Sequence, residues 1–272
     1  MSILVFASIA AFICYLGAAF NDRFARLLLA QGVVAHAISL VAAIGGLSTP
    51  EGFGDGGRYG FGAALSATFW VGALILLIEG RSTRVQAVLK VVLPLAAISA
   101  LLPMAFPGAS LAKYSHRSLF LPHLVVGTLS YGVLLLAALH AGLMAAAERS
   151  LKGSERASNS FFAKFFDELP PLMTMERVLF RFIGISFICL SLTLISGIGF
   201  SEVIFDQPMK LDHKTIFTIL AWLVLAVLLV GRWLRGWRGR VALRWTMVSF
   251  ALLLLGYVGS RFVLEVVLNR VA

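Results

Sequence analysis

The amino-acid sequence predicts an all-α fold, a polytopic membrane helix bundle with about eight transmembrane helices. Hydrophobic residues make up 60% of the 272 residues, and the mean hydropathy is +0.93. A run of about 18 or more apolar residues can cross the roughly 30 Å hydrocarbon core of a bilayer as a helix. Charged residues are only 13% of the chain and fall mostly between such runs. This composition is not that of a soluble domain.

Eight apolar runs give the predicted spans in chain order. Each run can satisfy its own backbone hydrogen bonds as a helix, as lipid requires. The fifth and the eighth are longer than the bilayer is thick, so we expect these two helices to tilt or to protrude. The predicted spans are residues 2–20, 27–47, 61–78, 84–106, 119–146, 177–200, 215–231 and 242–268.

Basic residues between the spans predict the orientation of the bundle. The loops after spans one, three, five and seven contain most of the arginines, whereas the opposite loops contain few basic residues. Because basic loops stay in the cytoplasm, both termini are predicted to lie outside. The net charge of +10 reflects this distribution. Arginines at the edges of a membrane favour lipid headgroups, and not nucleic acid, as partners.

A single transmembrane domain is predicted for residues 1–272. Its longest connection, 147–176, lies on the predicted cytoplasmic side, and residues 160–168 place four phenylalanines among charges, which is typical of an amphipathic turn on the membrane surface. Cys14 and Cys189 form no CxxC pair, so a thiol–disulfide carrier is not indicated. The chain contains none of the familiar nucleotide-binding, metalloprotease or serine-hydrolase motifs, and no enzymatic activity is predicted.

Histidines inside or beside the spans are the first candidate functional residues, because ionisable groups in a membrane are costly. His36 lies midway along span two. It could ligate haem iron through a ring nitrogen, or it could make an interhelical hydrogen bond to a serine or a carbonyl. His123 lies near the predicted outer start of span five. It could form an external pair with His116 or His213 around an iron porphyrin, or it could be a solvated loop residue. His140 is predicted to be structural.

Two charged residues of span eight are a further candidate. Arg261 and Glu265 are four residues apart, so on a helix they share a face and can pair. Alternatively, Arg261 could face the buried carboxylate of a ligand, such as a haem propionate. The acidic residues otherwise fall at the ends of spans, which makes a proton- or cation-driven transporter the least favoured class.

Five short stretches, taken in order, carry a resemblance to a known family. His123 is followed by Leu129-Ser130-Tyr131, and Pro170 to Arg177 reads Pro-Pro-Leu-Met-Thr-Met-Glu-Arg. Leu211-Asp212-His213-Lys214-Thr215, span seven and Gly236-Trp237-Arg238-Gly239-Arg240 follow, and then Gly256-Tyr257-Val258-Gly259-Ser260-Arg261. This order resembles the cytochrome c assembly protein family, the group of CcsA (also called ResC), CcmC, HemX and YpjD proteins. The Pro170 to Arg177 stretch is most similar to the YpjD branch.

The resemblance implies haem handling for cytochrome c assembly, with non-covalently bound haem b as cofactor. It also implies a bacterial inner (cytoplasmic) membrane location, multi-pass with N-out/C-out topology, and other cytochrome assembly or haem-pathway membrane proteins as partners. His123 matches the first external histidine of the family. His123 and His36 are the candidate iron ligands, and Arg261 and Asp212 are further candidate cofactor-binding residues. The chain lacks the family's tryptophan-rich outer motif and its second external histidine.

These departures keep a second hypothesis open. A HemX- or YpjD-type protein would regulate or scaffold another membrane protein without binding haem. Residues 160–168 and the basic loop 231–244 would then be the contact surfaces. A transporter for a small solute or ion is the third hypothesis.

Overall fold

The computed structural model describes residues 3–21, 23–47, 56–79, 86–112, 120–152, 169, 171–205 and 212–268. Within these ranges the chain forms eight long helices and one pair of short strands. The helices are α1 (Ile3–Phe20), α2 (Ala25–Ile44), α3 (Phe61–Glu79), α4 (Gln86–Ala105), α5 (Phe120–Lys152), α6 (Leu172–Phe205), α7 (His213–Arg235) and α8. Helix α8 begins as Arg240–Leu254 and continues through π-helical Leu255–Gly259, a turn at Ser260–Phe262 and π-helical Val263–Val267.

The predicted all-α membrane bundle is confirmed. Seven of the described helices are long and apolar enough to cross a membrane, and α4 contributes a shorter apolar stretch, Leu89–Ala105. Helices α5 and α6 are longer than their predicted spans, because α5 continues to Lys152 and α6 already begins at Leu172. The connection between them is correspondingly shorter than predicted. Residues 160–168 and His116 lie outside the described residues, and the N-out/C-out orientation stays a prediction.

Helix α5 is the central element of the bundle. Every residue from Val133 to Ala138 is buried, as expected for a helix that is apolar on all sides. Leu134 and Leu136 belong to a core formed mainly with α6, α7 and α8, to which α3 and α4 add Leu76 and Val92, whereas Leu135 belongs to a second core formed with α1, α2, α3 and α4. The bundle therefore consists of two packed groups of helices that meet on α5.

A short strap joins the start of α3 to the end of α4. Strand β1 (Arg58–Tyr59) pairs antiparallel with β2 (Ala109–Ser110), and Arg58 Nε donates to the carbonyl oxygen of Gly108 at 3.1 Å. Gly108 has a φ of +77°, and its backbone touches that of Gly60 so closely that a Cβ at either position would overlap the other. Only glycine fits this crossing, which fixes the position of the neighbouring Tyr59.

The two ends of the bundle differ in chemistry. One end, here called the His123 end, contains the first turns of α3, α5 and α7, the last turns of α6 and α8, and the β strap. The opposite end, here called the arginine end, contains the last turns of α5 and α7 and the first turns of α6 and α8. By the predicted orientation the His123 end is the outer one.

Candidate functional site

His123 is positioned by the first turn of α5 against α6. Its Nδ1 lies 2.8 Å from Ser196 Oγ, and the Ser196 hydroxyl donates to the Thr193 carbonyl oxygen at 3.1 Å. A hydroxyl has one proton, so Ser196 accepts from the imidazole, and Nδ1 of His123 carries the ring proton. In neutral His123 the lone pair is then on Nε2, and an oriented imidazole of this kind is how proteins present a metal ligand. A Cβ at Gly197 would lie 3.4 Å from Cε1 of the ring, an ordinary van der Waals contact, so the ring lies close to the α6 backbone.

His36 is the centre of a hydrogen-bonded chain through α1, α2 and α3. Its Nδ1 lies 3.2 Å from the Tyr15 hydroxyl, and its Nε2 lies 2.7 Å from Ser66 Oγ. All three side chains are completely buried. A neutral imidazole has one donor and one acceptor nitrogen, and the two hydroxyls engage both. The interhelical hydrogen bond to a serine, one of the two alternatives predicted for His36, is therefore observed. Iron ligation would require one of these bonds to break, so this geometry does not fit a haem ligand at His36.

The predicted pair on α8 is present. Arg261 Nη1 lies 3.7 Å from Glu265 Oε1. The other carboxylate oxygen, Oε2, accepts a hydrogen bond from the backbone N–H of Phe61 at 3.0 Å, so Glu265 also caps the N-terminus of α3. Arg261 Nε and Glu265 Oε1 are buried and make no hydrogen bond within the described residues. Buried polar atoms are normally hydrogen-bonded, so these two have unused capacity for a polar partner.

Aromatic and basic side chains surround this pair. The ring of Tyr257 lies 5.7 Å from Lys214 Nζ and also 5.7 Å from Arg261 Cζ. Tyr257 belongs to the first π-helical segment of α8, and such segments are frequent at functional sites. Just before it, the carbonyl oxygen of Leu253 accepts a 2.7 Å hydrogen bond from the Tyr131 hydroxyl of α5. The irregular part of α8 is therefore held in place from a neighbouring helix.

Tyr59 completes the group from the β strap. Its ring centroid lies 5.8 Å from that of Tyr257, and its hydroxyl bonds to Thr128 of α5. Burial raises the pKa of Tyr59 above its ordinary value, and the hydrogen bond with Thr128 offsets part of that rise. The phenol is therefore neutral. We call Tyr59, Lys214, Tyr257, Arg261 and Glu265 the tyrosine–arginine cluster.

Asp212 has a structural role at the same end. It is the N-cap of α7, and its Oδ1 accepts from the backbone N–H of Thr215 at 2.9 Å and from the Thr215 hydroxyl at 3.0 Å. Such a cap satisfies an N–H group that has no partner within the helix. His213, the other histidine considered for an external pair, is exposed in the first turn of α7.

Sequence reasoning missed Tyr59 as a functional candidate. Nothing in its local sequence distinguishes it, because its partners lie in α5 and α8, far along the chain. Tyr257 carried a usable signal, since Tyr257, Arg261 and Glu265 are spaced four residues apart and share one face of a helix. Lys214 lies in the Leu211 to Thr215 stretch that carries the family resemblance, but it was not predicted to bind a cofactor.

The arginine end is organised around a buried carboxylate. Glu176 Oε1 accepts from Arg238 Nε at 2.8 Å and from Arg232 Nη1 at 3.2 Å. The guanidinium of Arg232 also stacks on the Phe180 ring, with Cζ 3.5 Å from its centroid. Glu176 thus ties the start of α6 to the end of α7 and to the following loop.

The Gly-Trp-Arg-Gly-Arg stretch forms the turn from α7 to α8. Gly236 caps α7 in the left-handed conformation, with φ of +64°, and Gly239 precedes α8 with φ of +54°. Trp237 packs on the bare backbone of Gly231 and lies 5.7 Å from the Trp245 ring. The final arginine, Arg240, donates to Glu148 of α5 at 2.9 Å. The whole stretch therefore has a structural explanation, because it fastens α5, α6, α7 and α8 together.

Two further observations limit the chemistry of the molecule. His140 Nε2 lies 2.9 Å from the carbonyl oxygen of Met175 in the core, in keeping with its predicted structural role. Over the described residues, no three histidine, cysteine, aspartate or glutamate side chains come together as a metal site. Of the candidate histidine ligands that the structure describes, His123 combines a ring oriented by a hydrogen bond with a place at a polar end of the bundle.

Comparisons with known proteins agree with the resemblance drawn from the sequence. Residues 58–268 match the family model described as "Cytochrome C assembly protein". The chain is 30% identical over 254 residues to the inner membrane protein YpjD of Escherichia coli K12, which covers 91% of this chain and 90% of YpjD.

Two shorter matches point the same way. An uncharacterized 28.8 kDa protein of Azospirillum brasilense is 29% identical over 147 residues, which is 54% of this chain and 52% of that protein. The cytochrome c biogenesis protein CcsA of Thermosynechococcus vestitus is 30% identical over 86 residues, which is 32% of this chain and 27% of CcsA. No solved structure matches the chain significantly.

Proposed function

Because the chain belongs to the cytochrome c assembly protein family, we propose that it is a non-enzymatic membrane protein that handles haem during cytochrome c assembly. Its location would be the bacterial inner membrane, as the name of its E. coli relative YpjD suggests. The termini would lie outside, which puts the His123 end at the outer face. Its partners would be membrane lipid and other proteins of cytochrome assembly or the haem pathway.

The orientation of His123 is the observation that carries this proposal. Ser196 accepts a hydrogen bond from Nδ1 and so holds the ring in one orientation at the His123 end. Haem b, bound non-covalently, would supply an iron that takes an imidazole nitrogen as a ligand. We assign His123 as that ligand. Asp212 would contribute indirectly, because it caps the helix that carries Lys214.

The tyrosine–arginine cluster would supply the anion-binding part of the site. Among the described residues the buried Nε of Arg261 makes no hydrogen bond, and Lys214 Nζ lies 5.7 Å from the centre of the same Tyr257 ring that Arg261 approaches. Carboxylates bind arginine through charge-assisted hydrogen bonds, so these two side chains would hold the propionates. Glu265 holds Arg261 in place from its own helix and remains bonded to α3.

The experiment is a side-by-side absorbance spectrum of wild type and His123→Ala, both purified from haem-replete cells. We expect a Soret band in wild type that is lost or shifted in His123→Ala. Ser196→Ala keeps the imidazole but removes its partner, so its band should weaken. His213→Ala, an exposed histidine in the first turn of α7, is the matched control and should leave the band unchanged. A wild type without a Soret band, or an identical band in His123→Ala, would refute haem binding at His123.

A regulatory or scaffolding role without haem is the second candidate. The observation that favours it is the geometry of His36, a predicted iron ligand. Both of its ring nitrogens are hydrogen-bonded to hydroxyl groups inside the bundle. This candidate predicts a specific membrane partner that co-purifies with the chain whether or not haem is present. Replacement of residues 160–168 should abolish that co-purification, and unchanged co-purification would exclude this surface.

A further inference from the structure

An exposed stripe on α6 joins two arginines, which form no ion pair with the described residues, to a row of apolar side chains. Arg177 and Arg181 are exposed and lie four residues apart. The exposed residues that continue the stripe are Met173 before them and Ile185, Ile188, Leu192 and Ile195 after them. At 100° per residue all of these fall within an arc of roughly 120°. One face of α6 is therefore basic at the arginine end and apolar from there onward.

No acidic group of the described chain neutralises these arginines. Neither guanidinium makes an ion pair or hydrogen bond within the residues that the structure describes. The adjacent carboxylate, Glu176, points into the bundle and is already shared by Arg232 and Arg238. A third guanidinium also reaches the start of the stripe, because Arg238 Nη2 lies 3.7 Å from Met173 Sδ.

The depth of the two arginines matches a phosphate at the membrane interface. A rise of about 1.5 Å per residue puts Ile198 about 32 Å from Arg177 and about 26 Å from Arg181. The hydrocarbon core is roughly 30 Å thick, and predicted span six begins at residue 177, so we place Arg177 near the edge of the core and Arg181 about one turn inside. An arginine at that depth extends its guanidinium toward the headgroups.

We propose that this face of α6 is a binding site for an acidic phospholipid. Arg177 and Arg181 hold the headgroup phosphate, and one acyl chain lies along Ile185, Ile188 and Leu192. Charge complementarity selects the anionic headgroup, since the stripe offers two positive charges and the described residues offer them no acidic partner. This site lies at the opposite end of the bundle from His123, so it stands independently of the proposed haem function.

The test measures retained lipids by native mass spectrometry of the purified full chain. Wild type should retain phosphatidylglycerol in preference to phosphatidylcholine when both are supplied. In Arg177→Gln/Arg181→Gln the affinity for phosphatidylglycerol should fall roughly 30-fold, the effect expected for two membrane-facing arginines. Phosphatidylcholine, whose headgroup has a phosphate but no net charge, should lose much less affinity, and an unchanged helical circular dichroism spectrum shows that the variant is folded.

Two further variants make the result decisive. Arg235→Gln/Arg244→Gln removes the same charge from exposed positions on α7 and α8 and should keep the preference. Arg177→Lys/Arg181→Lys keeps the charge and should retain most of it. The proposal is overturned if the glutamine variant at 177 and 181 still prefers phosphatidylglycerol. It is equally overturned if the control at 235 and 244 loses as much, because binding would then follow net charge alone.

Discussion

Glu176→Gln tests whether the arginine end is held by the buried carboxylate. The substitution keeps the size of the side chain and removes its charge, so both guanidinium groups lose their ionic partner. Only 9% of the Glu176 side chain is exposed, whereas Arg232 and Arg238 are 33% and 53% exposed. Breaking a fully buried ion pair costs about 3–5 kcal/mol. Water can reach both arginines here, which lowers the expected loss to about 2 kcal/mol.

The assay is reversible unfolding in mixed micelles, followed by helical circular dichroism as the denaturing detergent is increased. Glu148→Gln is the matched control. It removes the same charge from the pair with Arg240, in which 62% of the Arg240 side chain and 26% of the Glu148 side chain are exposed. An exposed pair contributes less than about 1 kcal/mol. Glu176→Gln should therefore unfold at a clearly lower detergent fraction than Glu148→Gln. If the two variants unfold together, the reasoning from burial is refuted.

Three further outcomes follow from the structure. Gly231→Ala should destabilise the protein by about 1–3 kcal/mol in the detergent unfolding assay, because its Cβ would overlap the Trp237 ring. The control is Gly184→Ala, whose Cβ would meet nothing within 4 Å and which should be neutral or stabilising in that assay. Ser66→Ala should cost about 1–3 kcal/mol by leaving a buried imidazole nitrogen unpaired, and a thermal melt equal to that of wild type would contradict this. Because the pKa of Tyr59 is raised in the folded state, the unfolded chain loses the phenol proton first as the pH rises. Folding stability should therefore fall above the ordinary tyrosine pKa. Tyr59→Phe should remove the contribution of Tyr59 to this loss of stability in thermal melts recorded across pH.

The spans could be predicted from sequence because lipid imposes a simple rule on apolar length. That rule predicts α5 and α6 to be too short. Their polar ends, which contain Glu148 and Glu176, are still helical because these carboxylates pair with arginines of the bundle. The pair of Arg261 and Glu265 was predictable, because two residues four positions apart on a helix always lie close together.

The partners of Glu176 were not predictable in this way. Arg232 and Arg238 are 56 and 62 residues away along the chain, and no local pattern selects them from the many other arginines. The same holds for His36. Its place in a span was evident, but its two hydroxyl partners come from different helices, 21 and 30 residues distant. Distant pairs of this kind depend on how the helices pack, which one sequence does not encode in any local spacing.

The bond between the Phe61 N–H and Glu265 has a consequence for the order of biosynthesis. Its two residues are 204 positions apart. Helix α3 enters the membrane long before the ribosome reaches residue 265. During translation the N–H of Phe61 must therefore donate to water or to another acceptor. The His123 end can reach its final form only after the last turn of α8 has been made. A chain stalled or truncated before residue 265 would contain most of its helices and still lack a finished site.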